Sequence, residues 1–234
     1  MKNQIYFLLI LLFTFLHIES NAQLSNEISY SVGPVFVPQE TANPIYTSAA
    51  FVASTGVGIQ LDYKLMSKYL GFEIAINYIM NPYDEAFASD VLNATSVNAD
   101  KWLSIIGMVK IVGRTPATIN NKLFFDFNVG FGLNHGNFSN QVFTYSSTDN
   151  NLLNLDQIYS SEKRSTGFIW GGGVRANFKF DKSVAVFINY DLLVSNQNYT
   201  TNYVRIGPGI SSTQRSTTIK KTYHTLLFGI TAFL

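Results

Sequence analysis

The chain has no cysteine, which excludes disulfides, thiolate metal sites, a cysteine nucleophile and a lipid-anchored N-terminal cysteine. It is also poor in charge. Only 13% of its 234 residues are Asp, Glu, Lys or Arg, where soluble domains carry about 25%. Sixteen basic residues against fifteen acidic ones leave a net charge of +1. The strongly basic face that nucleic acid or another polyanion would need is therefore missing. Beyond residue 22 no apolar run is long enough for a spanning helix, so residence in a membrane would have to use strands. Histidine is scarce: His17, His135 and His224 are too scattered for metal-ligand spacing. Neither a metal nor a cofactor is expected.

What the chain does have is hydrophobic bulk, 47% of residues, with 15% aromatic. The first part of it reads as an address. Lys2 precedes an apolar run from Ile5 to Ile18, and Glu19-Ser20-Asn21-Ala22 follows. Charged start, greasy middle and small residues at the end make a secretory signal peptide, cleaved after Ala22. Residues 23–234 form the mature chain.

The mature chain alternates with period two, the signature of strands with two unlike faces. One face of the segment from Thr55 reads Thr55, Val57, Ile59, Leu61, Tyr63, Leu65, against Gly56, Gly58, Gln60, Asp62, Lys64. The same contrast recurs at 70–80, 123–134, 168–180 and 184–195, and more weakly at 27–37, 102–112 and 225–234. Pro34 weakens the first of these three, because proline cannot donate to a ladder. Ile106 and Met108 weaken the second, because they fall on its polar face. Short turns near 66–68, 113–121 and 181–182 alternate with long polar connections at 38–50, 81–101, 135–165 and 196–217. These features predict an all-β fold, an eight-stranded antiparallel up-and-down transmembrane β-barrel, with long extracellular loops and both termini periplasmic.

Volume decides which face points inward. An eight-stranded barrel has room inside only for side chains, and the bulky apolar rows would not fit. The rows rich in Gly, Ser and Asn suit a narrow lumen, so the apolar rows are expected to face lipid. Aromatics near the strand ends are expected as two interfacial girdles, Tyr63, Tyr69, Phe178, Phe180 and Phe233 at the turn end and Tyr78, Trp102, Phe131, Trp170 and Tyr190 at the loop end. In hydrocarbon every backbone group must be paired, so the first and last strands are expected to close the barrel. Parity then places Asp62, Lys64, Glu73, Lys110, Asp126, Arg175, Lys179 and Asp191 in the lumen. A mutually neutralising network plugging the barrel is expected there, since a buried unpaired ion is expensive. A selectivity lining for a narrow ion or solute channel is the alternative.

Candidate catalytic groups are few, and a non-enzyme is expected. The alternative is a lipid A-modifying hydrolase using His135 and Ser139 with a carboxylate such as Asp149 or Glu162, although triads are recognised by geometry, which residue types alone do not supply. His224 is expected near the outer interface. Gly171-Gly172-Gly173 lies in a strand and leads into no helix; it marks close packing of the barrel wall and is no phosphate loop.

The processing site Ser20-Asn21-Ala22-Gln23 and the ending Gly229-Ile230-Thr231-Ala232-Phe233-Leu234 resemble those of small outer-membrane β-barrel proteins of Bacteroidota, the OmpX/OmpA-transmembrane/PorT-like group. The ending resembles an assembly signal carried by Gly229, Ala232, Phe233 and Leu234, closing on Leu where Phe is usual. That resemblance implies the outer membrane as location and the barrel-assembly machinery as a partner during biogenesis. It transfers no functional residue, because members of the group serve varied roles. The expected function is a structural or interaction role, in which the long loops bind a protein partner of the cell envelope or a surface ligand.

Overall fold

The computed structural model describes residues 24–38, 53–92, 94–137, 140–145, 155–160, 164–206 and 211–234. The signal-peptide assignment for residues 1–22 lies outside them, as does most of the segment 38–50. Eleven strands and one helix are present among the described residues: β1 Ser25–Phe36, β2 Gly56–Met66, β3 Leu70–Asn81, α1 Glu85–Leu92, β4 Ser96–Ala99, β5 Trp102–Arg114, β6 Leu123–Gly136, β7 Gln141–Tyr145, β8 Leu155–Ser160, β9 Ser165–Lys179, β10 Val184–Ile206 and β11 Ser211–Phe233.

Eight of these strands close a ring. Antiparallel pairing runs β1–β2–β3–β5–β6–β9–β10–β11, and β11 returns to β1 with Glu27 opposite Phe233 and Phe36 opposite His224. No barrel edge is left unpaired, which is the condition a chain must meet to cross hydrocarbon in strand form. The closing seam is tight at Gly229. A Cβ there would approach Phe187 Cζ to 2.5 Å and Ser31 Cβ to 2.6 Å.

Burial alternates strictly along the strands. In β2 the odd positions Val57, Ile59, Leu61 and Tyr63 are exposed, and Gln60, Asp62 and Lys64 are buried. The exterior is a continuous apolar belt, with Val129 62%, Leu133 59%, Ile74 57% and Ile230 57% exposed. An apolar patch of that extent far exceeds what a monomer shows to water, and it matches the lipid-facing band of a membrane-spanning barrel.

Two expectations are corrected here. The segments 81–101, 135–165 and 196–217 are not simply loops. The first carries α1 and β4, the second β7 and β8, and the third is largely hairpin, because β10 and β11 stay paired out to Arg205 opposite Ser211. Their polar residues give no apolar face for a period to reveal, although the backbone pairs regardless. Together β11, β10, β8, β7 and β4 form a sheet standing on the barrel at its loop end. Trp102, expected in an outer girdle, is inside and only 4% exposed. It shares the parity of Ser104 and Lys110, which puts it on the inward face of β5.

Candidate functional site

The lumen holds the chemically richest group of residues. Lys64, Glu73 and Lys110 stand opposite one another on β2, β3 and β5. Lys64 Nζ lies 3.6 Å from Glu73 and 2.6 Å from Asp126, and Lys110 Nζ lies 3.1 Å from Glu73 and 3.2 Å from Asp191. Asp126 and Arg175 are register partners on β6 and β9. The Arg175 guanidinium nevertheless reaches across the lumen, donating to Asp62 at 2.9 and 3.2 Å and lying 3.6 Å from Glu73. The planar fork suits this bidentate pairing, and the Phe187 ring supports it, 4.2 Å from the guanidinium carbon.

Arg114 extends the chain of ions toward the turn end. Its guanidinium donates to both carboxylate oxygens of Glu27 and to Asp126 at 2.7 and 3.0 Å. The result is one connected path through five carboxylates and four cations: Glu27, Arg114, Asp126, Lys64 and Glu73, then Lys110 with Asp191 and Arg175 with Asp62. Every barrel strand but β11 contributes an ion. β11 joins through Thr231, whose hydroxyl bonds Ser29 at 2.9 Å, and Ser29 in turn accepts from Arg175 at 3.3 Å. Asn and Gln side chains complete the shell: Gln60 donates to Asp62 at 3.0 Å, and Asn128 and Asn189 donate to Asp191 at 3.2 and 2.8 Å. A Cβ on Gly173 would strike the Asp191 carboxylate, so that glycine makes room for the network.

Seven of the eight charges assigned to the lumen by parity, Asp62, Lys64, Glu73, Lys110, Asp126, Arg175 and Asp191, lie in this path. Lys179 does not. It is half-buried at the turn end, its Nζ 4.2 Å from the Phe233 ring centre and 5.4 Å from that of Phe124. Glu27 and Arg114 are the members that sequence reasoning missed. Both lie at strand ends, one parity step beyond the alternation that the apolar rows mark out, and extending the period by that step would have found them.

Toward the loop end the lumen changes character. Val35, Ile79, Ile106, Met108, Ile169, Leu193 and Tyr223 form a buried apolar cluster above the ions. Ile106 and Met108, which spoil the polar face of β5 in the sequence, are its members. A polar group follows: Asn134 donates to Ser195 at 3.1 Å and to Tyr223 at 3.2 Å, and Ser104 and Tyr223 share a bond of 3.0 Å. Beside Trp102, the Lys221 side chain is buried, its Nζ 3.8 Å from the ring centre.

The alternative hydrolase pair is not assembled among the described residues. His135 is exposed on the outward face of β6, with Nδ1 2.8 Å from Thr166 Oγ1. Ser139, Asp149 and Glu162 lie outside the described residues. His224 pairs on the exterior with Tyr190, Nδ1 to hydroxyl 2.6 Å. At the C-terminal end Gly229 sits in the closing seam, Ala232 faces outward and Leu234 is 72% exposed, whereas Phe233, expected in the turn-end girdle, has the inward parity of Thr231 and receives Lys179.

No family model matches the chain, and no curated protein matches it. Among solved structures it is similar to a major outer membrane protein from Thermus thermophilus, at 12% identity over 91% of this chain and 100% of that one, with a TM-score of 0.48. It is also similar to Neisserial surface protein A, at 11% identity over 90% and 98% of the two chains, TM-score 0.43. A third is the outer membrane protein OprG from Pseudomonas aeruginosa, at 12% identity over 89% and 93%, TM-score 0.38. The fold assignment rests on the closed strand pairing itself.

Proposed function

We propose that this chain is an integral outer-membrane barrel of a Gram-negative bacterium, of the Bacteroidota type its ending resembles, with a plugged lumen. On this reading it works as a non-enzymatic interaction protein of the cell envelope, through the part that stands outside the membrane. One observation carries the proposal: the sheet built by β11, β10, β8, β7 and β4 on the loop end of the barrel. The outward apolar row of β10 breaks after Val194, and Asn196, Asn198, Thr200 and Asn202 follow on that face. The twelve residues from Ser195 to Ile206 carry the hairpin on, about 40 Å at ~3.3 Å per residue. Strands held in register on a rigid barrel present side chains at fixed positions, the arrangement binding generally uses. The ionic path and the apolar layer above it support a closed lumen, because an eight-stranded barrel has no room left once its inward side chains are in place.

The test is deletion of residues 138–163, replaced by a short Gly-Ser linker. Unboiled protein should still migrate as a folded barrel on gels. Capture of its partner from detergent-solubilised outer membrane should be lost; undiminished capture would refute the docking role. Conductance in planar bilayers tests the plug, and well-defined channel openings at ordinary voltages would overturn it.

A further inference from the structure

Lys221 is an anomaly in a lumen where the other buried cations are paired. It is 7% exposed, and its Nζ has no hydrogen-bond partner among the described residues. Nζ faces the Trp102 ring at 3.8 Å, a contact that favours the charged form but neutralises none of its charge. Burial away from water pulls the ammonium's pKa down to about 7, a shift that an entering anion would reverse. Beside it is a void of about 20 Å³ with walls from Val37, Pro38, Ala53 and Trp102, room for one or two waters by the usual measure of ~10–15 Å³ each. Of its other polar neighbours, Asn81, Ser104 and Tyr223 are engaged, and Lys220 and Thr222 lie on the outward parity of β11. Asn81 Nδ2 donates to the carbonyls of Val35 and Ser54, and the Ser104 hydroxyl is bonded to Tyr223. The available group is a single cation at the end of an apolar pocket, on the loop side of the barrel.

We propose that this pocket is a binding site for a monovalent carboxylate, which enters from the loop end and places its head group on Lys221 with its apolar part against Trp102. One cation cannot balance a phosphate dianion in a low-dielectric site, whereas a carboxylate is matched in charge and small enough for its head to fill the void. The site is independent of the loop-docking function proposed above. The acid has two possible sources: a short dissolved acid, or the head of a fatty acid whose chain trails out of the mouth.

The chain has two tryptophans, so Trp170→Phe leaves Trp102 as the sole indole reporter at the site. Full-length folded protein in a nonionic detergent is titrated with butyrate, with dodecanoate, with dodecanol and with chloride. A saturable change in Trp102 emission with either acid supports the proposal. Comparable midpoints point to dissolved acids, and a response confined to dodecanoate points to the acyl source. Lys221→Met, checked for folding by its unboiled gel mobility, should weaken the acid at least ~10-fold, in line with a hydrogen bond to a charged group, and Lys221→Arg should retain part of it. Silence with both acids, an equal response to dodecanol or chloride, or an unaltered response in Lys221→Met would overturn the proposal. The competing occupant is the chain's own Glu40, two residues beyond Pro38 in sequence. If Glu40→Gln changed ligand-free Trp102 emission as Lys221→Met does, an external carboxylate would be refuted.

Discussion

Arg175 is the sharpest place to perturb the lumen. Its guanidinium is 1% exposed and supplies two of the hydrogen bonds to Asp62, and Gln60 supplies the third. Arg175→Met keeps bulk over Phe187 but leaves Asp62 as a buried carboxylate with one neutral donor. Glu73 retains Lys64 and Lys110, so the cost falls mainly on Asp62. Removing one partner of a buried pair costs about 3–5 kcal/mol, and losing the guanidinium over the ring adds up to ~2 kcal/mol when that contact is desolvated; overlap of the two leaves an expected loss of ~3–5 kcal/mol. Asp62→Asn should cost a similar or smaller amount, because it strips Arg175 of both bonds to that carboxylate and leaves it Glu73 at 3.6 Å. The double variant removes the ions without stranding either, so its loss should fall short of the sum by at least ~2 kcal/mol. Reversible urea unfolding in detergent micelles, followed by tryptophan emission with the fraction folded checked on unboiled gels, measures all four corners of the cycle. Arg175→Met within ~0.5 kcal/mol of the parent, or single losses that add to within ~0.5 kcal/mol, would refute the reasoning.

Four shorter tests follow from other parts of the molecule. Lys64→Met should cost ~3–5 kcal/mol as a buried ion removed from its partners, and Lys179→Met under ~1 kcal/mol because that side chain is half-buried and holds only ring contacts; equal losses in urea unfolding would contradict the boundary drawn around the network. With Trp170 54% exposed on the exterior and Trp102 4% exposed inside, brominated lipid should quench Trp170 in the Trp102→Phe protein and spare Trp102 in the Trp170→Phe protein, and the opposite pattern would reverse the two faces. Gly229→Val should lower folding yield in vesicles, since the new side chain meets Ser31 across the closing seam and Phe187 on the other neighbour, β10, and overpacking costs about 1–3 kcal/mol; a parental yield would count against tight packing there. In the turn before β6, Ile119 has φ 49° and is 67% exposed, a conformation costly to a β-branched residue, so Ile119→Gly should raise the urea midpoint by about 1 kcal/mol of stability and a lowered midpoint would refute the strain.

The barrel was legible in the sequence because lipid and lumen impose opposite demands on successive residues. Val57, Ile59 and Leu61 against Gln60, Asp62 and Lys64 leave little ambiguity. The same signal fails where the outward face leaves the apolar belt and the inward face is polar as well. From Asn196 onward β10 pairs with Lys220 and the residues before it on β11 without an apolar row, so the hairpin has the sequence pattern of a loop. It fails differently in β5. Trp102, Ile106 and Met108 point inward because the lumen has an apolar layer at the loop end, and a reading that equates inward with polar takes Trp102 for a girdle residue. Of the ionic path, parity supplied the members but not the partners. That Arg175 crosses to Asp62 rather than bonding its register neighbour Asp126 depends on barrel diameter and side-chain reach, which no single strand encodes.

The lumen also raises the question of why ions fill it at all. Hydrophobic replacement of a buried ion pair is often neutral or stabilising, and the layer of Val35, Ile79, Ile106 and Leu193 shows that apolar side chains do fit inside this barrel. Stability of the finished fold is therefore a weak reason for nine charges in the lumen, eight of them buried. The constraint lies in the chain before it folds. A strand with apolar residues on both faces is a continuous hydrophobic run with nothing to fix which face meets lipid, so a slip of one residue costs it little. In β5 the run from Ile105 to Val112 is broken only by Gly107 and Lys110; without Lys110, two faces of that strand would read alike. Ions on the inward face keep each strand amphipathic before the ring closes and are neutralised only when it does. On this argument the pairing in the lumen is a by-product of closure that makes the charge tolerable, and the requirement for charge is set by the need for each strand to carry two unlike faces.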